Sequence, residues 1–108
     1  MEHLGEFEQL VLLALMRLGP NAYGVTVKQE IEKRTGREVA LGAIYKTLAR
    51  LEEKKYVAST IGDPTPERGG RRKKFYAVEA LGVKALNHSF TALKKMTHGL
   101  GKTLEVLP

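Results

Sequence analysis

The sequence predicts a mainly α-helical chain carrying one small β-hairpin, and three of its stretches predict it. In Val39 to Val57 (VALGAIYKTLARLEEKKYV), Leu41, Ile44, Leu48 and Leu51 recur every three or four residues, the period of one buried helix face. After them, the strand-like YVASTI (Tyr56 to Ile61) and KFYAV (Lys74 to Val78) bracket a basic run rich in Gly and Pro. Apolar residues at helical spacing fill both ends of the chain. Helix, strand, basic hairpin and strand, in that order, make the second half of a winged helix-turn-helix, here with a further helix appended.

Size and composition bound what such a chain does. At 108 residues it is one domain, or one domain with an appended helix, and 43% hydrophobic residues suffice for a small core. A core of that size gains from burying more surface in a dimer. Eighteen Lys and Arg against twelve Asp and Glu leave a formal charge of +6, which favours an anionic partner: nucleic acid first, an anionic membrane surface second. The absence of cysteine excludes disulfides, thiol nucleophiles and cysteine metal sites, and fits a reducing compartment. The most apolar run, Leu10 to Met16, is far shorter than the roughly 20 residues of a membrane span. Met1 to Gln9 carries three glutamates and no Lys or Arg, the wrong charge for a secretion signal. A cytoplasmic protein is expected.

The first helix reads from His3 to Leu18, with Leu4, Phe7, Leu10, Val11, Ala14, Leu15 and Leu18 as its periodic set, and Gly19-Pro20 ends it. Leu12, Leu13 and Met16 widen the apolar arc, so one flank meets the core and the other either a partner subunit or more of the same core. Asn21 is a suitable N-cap for a second helix from about Ala22 to Thr35, with Tyr23, Val27 and Ile31 as its buried stripe and Gly36 as its stop. Lys28, Lys33 and Arg34 are interleaved with Glu30 and Glu32, the mixture of an ordinary solvated face; Tyr23 and Lys28 are expected to touch DNA backbone at most.

A short connection from Gly36 to Val39 joins the second helix to the third, the spacing of a helix-turn-helix whose second helix enters the major groove. Ala43, Lys46, Thr47, Arg50 and Lys54 are expected on its outer side, small, hydroxylic and basic near the N-terminus and acidic only at Glu52 and Glu53, an exposed pair. Small residues allow close approach to a groove, and Lys, Arg and Thr reach phosphates and base edges. In the hairpin, Gly62 to Lys74, Pro64 and Pro66 oppose regular ladder pairing and Gly69-Gly70 form the tip. Arg68, Arg71, Arg72, Lys73 and Lys74 place five cations within seven residues, beside glycines that permit close backbone approach and Arg insertion into a narrow minor groove. From Glu79 onward, Val83, Leu86, Phe90, Leu93, Thr97, Leu100, Leu104 and Leu107 alternate at spacings of three and four, a heptad-type seam. With no later element to cover it, the seam points to dimerisation or to packing back on its own domain. Gly99 and Gly101 place the end of firm helix at about His98.

Nothing in this order asks for catalysis or for a cofactor. His3, His88 and His98 lack metal-ligand spacing, and GLGKT (Gly99 to Thr103) lacks both the first glycine and the preceding strand of a phosphate-binding loop. Ser59 and Ser89 have no Asp or His placed to activate them.

The pieces together resemble the PadR family of winged-helix transcriptional regulators. The resemblance is carried by Phe7 to Leu15, Ala22-Tyr23-Gly24, Gly42-Ala43-Ile44-Tyr45, Leu48-Ala49-Arg50-Leu51-Glu52, Gly69 to Tyr76, and Glu79-Ala80-Leu81-Gly82. A single terminal helix makes the chain similar to the short-tailed members. The resemblance implies a DNA-binding homodimer, usually a repressor relieved by a small molecule. On this chain that implies a winged helix-turn-helix over 1–78 and a dimerisation helix with its tail over 79–108. Ala43, Lys46, Thr47 and Arg50 are then the major-groove set, Tyr45 steadies the helix and reaches phosphate, and Gly70, Arg71, Arg72, Lys73 and Lys74 form the wing grip. Phe7, Val11, Leu12 and Leu15 with Val83, Leu86, Phe90 and Leu93 become the dimer interface, and double-stranded DNA with a palindromic site the partner. Two departures stand out: Ala40-Leu41 replaces a capping hydroxyl at the start of the recognition helix, and no tryptophan is present to build a stacking pocket. The rival readings are a winged-helix module whose basic wing docks an acidic protein, and a non-specific nucleic-acid packer.

Overall fold

The computed structural model describes residues 2–64 and 72–104. Its elements run α1 (Glu6–Leu18), a 3-10 turn (Gly19–Asn21), α2 (Gly24–Thr35), α3 (Leu41–Glu53), β1 (Val57–Pro64), β2 (Arg72–Val78) and α4 (Ala80–Thr97). Three helices pack around one core, and the hairpin and α4 close it.

The helix ends have local causes. Glu8 Oε1 accepts the Gly5 N–H at 2.9 Å, satisfying a donor at the start of α1. The first helix therefore begins at Glu6, three residues later than the periodicity suggests, although Leu4 is buried beside it. The cap of α2 differs more. Asn21 sits in the 3-10 turn, and Thr26 does the work expected of it, accepting the Tyr23 N–H at 3.0 Å and donating to the Asn21 carbonyl at 2.6 Å. Ala22 and Tyr23 are extended, not helical: the Ala22 carbonyl accepts the Tyr76 N–H at 2.9 Å and Tyr23 bridges Phe75. This pair is a short third rung beside the hairpin. Gly36 takes the left-handed conformation (φ 71°) as the C-cap of α2, as its position predicts.

Antiparallel pairing runs from Val57 opposite Val78 to Ile61 opposite Lys74. Beyond it β1 advances three residues to Pro64 while β2 advances two to Arg72, a bulge of the kind that accommodates proline. The ladder thus reaches Pro64, irregularly; Pro66, Arg68, Gly69, Gly70 and Arg71 lie outside the described residues, as does Leu107.

Core residues come from every layer: Val11, Leu12, Ala14 and Leu15 of α1, Val27 and Ile31 of α2, Ile44, Leu48 and Leu51 of α3, Tyr56 of the turn after it, Val57 and Tyr76 of the hairpin, and Ala85 and Leu86 of α4. This corrects four of the expected interface positions. Val11 and Leu12 are 0% exposed, Leu15 2% and Leu86 4%, so in this conformation they fill their own core and have no surface to offer a partner. Tyr23, expected in the buried stripe of α2, is only half-buried. Firm helix in α4 ends at Thr97, with His98 as its C-cap, close to the limit set by Gly99. Among the described residues no helix is long and apolar enough to cross a membrane.

Candidate nucleic-acid interface

The third helix is held by four side chains, Ile44, Thr47, Leu48 and Leu51, all buried. Thr47, expected on the outer face, is 2% exposed. It stands three residues after Ile44 and four before Leu51, so it lies on their stripe, and its size suits the core as well as its hydroxyl suits a groove. At about 100° per residue the opposite arc is Gly42, Lys46, Ala49 and Glu53, flanked by Arg50 and Ala43 on one side and Tyr45 on the other. All seven are exposed. Lys46, Arg50 and Ala43 thus stand where expected, while Gly42 and Ala49 enlarge the arc. A Cβ built at Gly42 meets nothing within 4 Å. The middle of the arc is accordingly flat, a lysine between two residues with almost no side chain.

Lys54 leaves this face. Its ammonium pairs with Glu2 at 2.6 Å and with Glu8 at 3.0 Å, tying the end of α3 to the start of α1. Burial pushes the Glu8 carboxyl up, but the Gly5 N–H and the Lys54 ammonium outweigh it and hold the group below its ordinary value. Lys28 is likewise engaged. It pairs with Glu32 at 2.8 Å, and Glu32 also accepts the Val39 N–H at 3.1 Å, bracing the turn between α2 and α3. Ala40 caps α3 without a side-chain bond, as its methyl dictates.

Tyr45 is half-exposed, its ring laid against the start of α2, where a Cβ on Gly24 would overlap it. That contact explains the glycine after Tyr23 and fixes α3 against α2.

The wing cations do not form one patch. Successive residues of a strand point to opposite faces, so Lys73 departs from Arg72 and Lys74. Lys73 lies over the Tyr23 ring, 4.6 Å from its centroid, with Nζ 3.4 Å from the Tyr23 hydroxyl, and Tyr23 meets Phe75 edge-on at 5.5 Å. On the face toward α3, Lys74 pairs with Glu52 at 3.3 Å. The second oxygen of Glu52 accepts a hydrogen bond from Ser59 of β1. That serine holds the Glu52 carboxyl below its ordinary value against the opposing effect of burial, with Lys74 assisting. Arg72 is exposed. Neither Lys46, Arg50 nor Arg72 makes an ion pair among the described residues. The same residues contain no group of three or more His, Cys, Asp or Glu able to hold a metal ion.

Residues 12–88 match the family described as Transcriptional regulator PadR-like family, from the body of α1 to the middle of α4. The chain belongs to the PadR-like family of transcriptional regulators. A PadR family transcriptional regulator from Eggerthella lenta DSM 2243 is 26% identical, with a TM-score of 0.67 over 94% of this chain and 88% of that one. Two more distant structures share the fold. The PadR-like transcription factor from Bacteroides fragilis is 20% identical (TM-score 0.72, covering 91% of this chain and 89% of that one). The PadR family regulator from Clostridium difficile R20291 is 21% identical (TM-score 0.68, covering 89% and 98%). No curated protein matches the sequence. In this PadR-like chain, Glu52 and Ser59 were not legible as partners, because the bond crosses from helix to strand; Gly42 and Ala49 follow from the helical wheel once Thr47 is turned inward.

Proposed function

We propose that this PadR-like regulator is a homodimer that reads a palindromic operator in double-stranded DNA, acting in the cytoplasm as a repressor relieved by a small-molecule effector. One observation carries the reading: α3 is locked to the core by one stripe and turns outward an arc of Gly42, Lys46, Ala49 and Arg50, small and basic along its first turns, with Glu53 at its C-terminal end. An arc of that kind suits close entry to the major groove, with Lys46 and Arg50 reaching base edges or phosphate. Tyr45 lies beside it, positioned to steady the helix and meet backbone, and the wing, with Arg72 exposed and Arg71 adjacent in sequence, supplies the flanking contact.

Dimerisation is supported by α4, which leaves Val83, Phe90 and Leu93 of its seam exposed, with Met96 beside them. A two-fold pair of recognition helices demands a two-fold site. For the effector, the support is an apolar groove of about 670 Å³ between the end of α1, the outer hairpin face and α4, lined by Met16, Pro20, Phe75, Ala77 and Val83 among others.

The decisive experiment is selection from a random duplex pool, followed by salt-dependent binding of the winner and a scrambled control. A two-fold symmetric winner favoured by roughly a thousandfold or more over random duplex is the expected result. Equal binding to both duplexes would make the chain a non-specific packer, and no binding at low salt would leave the protein-docking reading.

A further inference from the structure

Glu52 of α3 reaches both strands of the hairpin. One carboxylate oxygen accepts from Ser59 of β1 and the other meets the Lys74 ammonium of β2 at 3.3 Å. The register explains the geometry: Ser59 stands opposite Tyr76 and Lys74 opposite Ile61, so both side chains leave the sheet on the face that packs against α3. Lys74 is thus drawn sideways, toward the helix, while Arg72 two residues before it stays exposed.

A cation spent inside the protein is withheld from phosphate, and phosphate contacts are the sequence-independent part of DNA binding. Both members of the pair remain partly exposed, with side chains 46% and 35% accessible, and surface pairs of that kind add little to stability. Its consequence therefore lies in binding. We propose that Glu52 is a positioning residue for specificity: it clamps the hairpin to α3 and holds Lys74 off the DNA backbone, limiting non-specific affinity. The inference rests on the DNA-binding reading above.

The test is a salt titration of binding to random duplex for the wild type, Glu52→Gln, Lys74→Gln and the double variant. Each phosphate neutralised adds about 0.9 to the slope of log affinity against log salt. Glu52→Gln keeps an acceptor for Ser59 but removes the charge paired with Lys74, leaving it among the described residues only the Tyr76 ring, 5.5 Å away. The slope of this variant therefore steepens by about 0.9, and its preference for the selected site falls. Lys74→Gln leaves the wild-type slope unchanged and restores it in the double variant. Ser59→Ala, which loosens the clamp but keeps the ion pair, leaves the slope as it was, an outcome that separates charge sequestration from loss of structure.

An unchanged slope in Glu52→Gln, or a shallower one when Lys74→Gln is made in the wild type, overturns the proposal. So does a slope in the double variant that stays as steep as in Glu52→Gln, because a general gain of positive field would then explain it. A wild type that binds without site preference fails the regulator reading, while the four slopes still judge Lys74. Absence of duplex binding overturns both.

Discussion

Lys55 holds a backbone conformation that its own Cβ opposes. Its φ is 65°, the left-handed position after the last turn of α3, and two bonds keep it there. The Tyr56 N–H reaches the Leu51 carbonyl at 2.9 Å and the Lys55 N–H reaches Glu52 at 3.0 Å, the paired closure in which glycine is usual. A non-glycine residue there costs roughly 1–2 kcal/mol, and glycine returns part of that through the greater freedom of the unfolded chain. Lys55→Gly should therefore stabilise the protein by about 0.5–1 kcal/mol, read as a higher urea midpoint with an unchanged slope. At the same scale, Lys46 stands at the centre of the exposed arc. Lys46→Ala is expected to cost about 1–3 kcal/mol against the selected operator and to relax preference at one base position. A loss equal for all sequences would move Lys46 from base edge to phosphate. Either result should leave thermal stability almost unchanged, since the side chain lies outside the core.

Between elements, the joints are made by groups that look ordinary in the sequence. Gly82 lets the first turn of α4 lie directly on the end of the α3–β1 turn, where an added Cβ would overlap the Tyr56 carbonyl oxygen and press on Val78. Gly82→Ala should destabilise by about 1–3 kcal/mol, the usual cost of overpacking a closed contact, measured by thermal or urea unfolding. Glu8 joins α1 to α3 through Lys54, and its native affinity for protons is lowered. Its stabilising contribution is therefore present above the ordinary carboxyl value of 4.5 and is lost as pH falls through the lower native one. Unfolding free energy should drop on acidification from about pH 5 downward, and Glu8→Gln should flatten that drop while leaving the neutral-pH unfolding cooperative. Periodicity made the elements legible: Ile44, Leu48 and Leu51 give the buried side of α3, and Gly36 gives the end of α2. What escaped is what periodicity does not encode. Thr26, five residues along, takes the capping bond expected of Asn21 because Ala22 and Tyr23 are drawn out to pair with β2. The basic run is continuous in sequence, although strand alternation alone divides Lys73 from Lys74. That division becomes useful only once the partners, Tyr23 and Glu52, are known.

For the whole molecule, the question is what the apolar seam of α4 does once the core has taken its share. Leu86 belongs to the protomer core, and so do Val11, Leu12 and Leu15 of α1, so the interface proposed for this small basic chain rests further along α4. Phe90 is 39% exposed and Leu93 55%, with Met96, Leu100 and Leu104 continuing the apolar surface toward the C-terminus. A chain of 108 residues with a +6 charge gains little by leaving these in water, and a second copy offers the same seam to cover them. Phe90→Glu combined with Leu93→Glu places like charges across such a seam without entering the core. The double variant should keep its helical circular dichroism and sediment as a monomer. Its affinity for a two-half-site operator should fall by about 10²-fold or more, because linked half-sites lose their shared effective concentration, while affinity for an isolated half-site stays near the wild-type value. A variant that still sediments as a dimer would put the contact elsewhere, and the outer hairpin groove around Met16, Phe75 and Val83 is one apolar surface open to it. That second arrangement would sever the link between α4 and half-site spacing, which selected operators would then report as a change in the distance between their two halves.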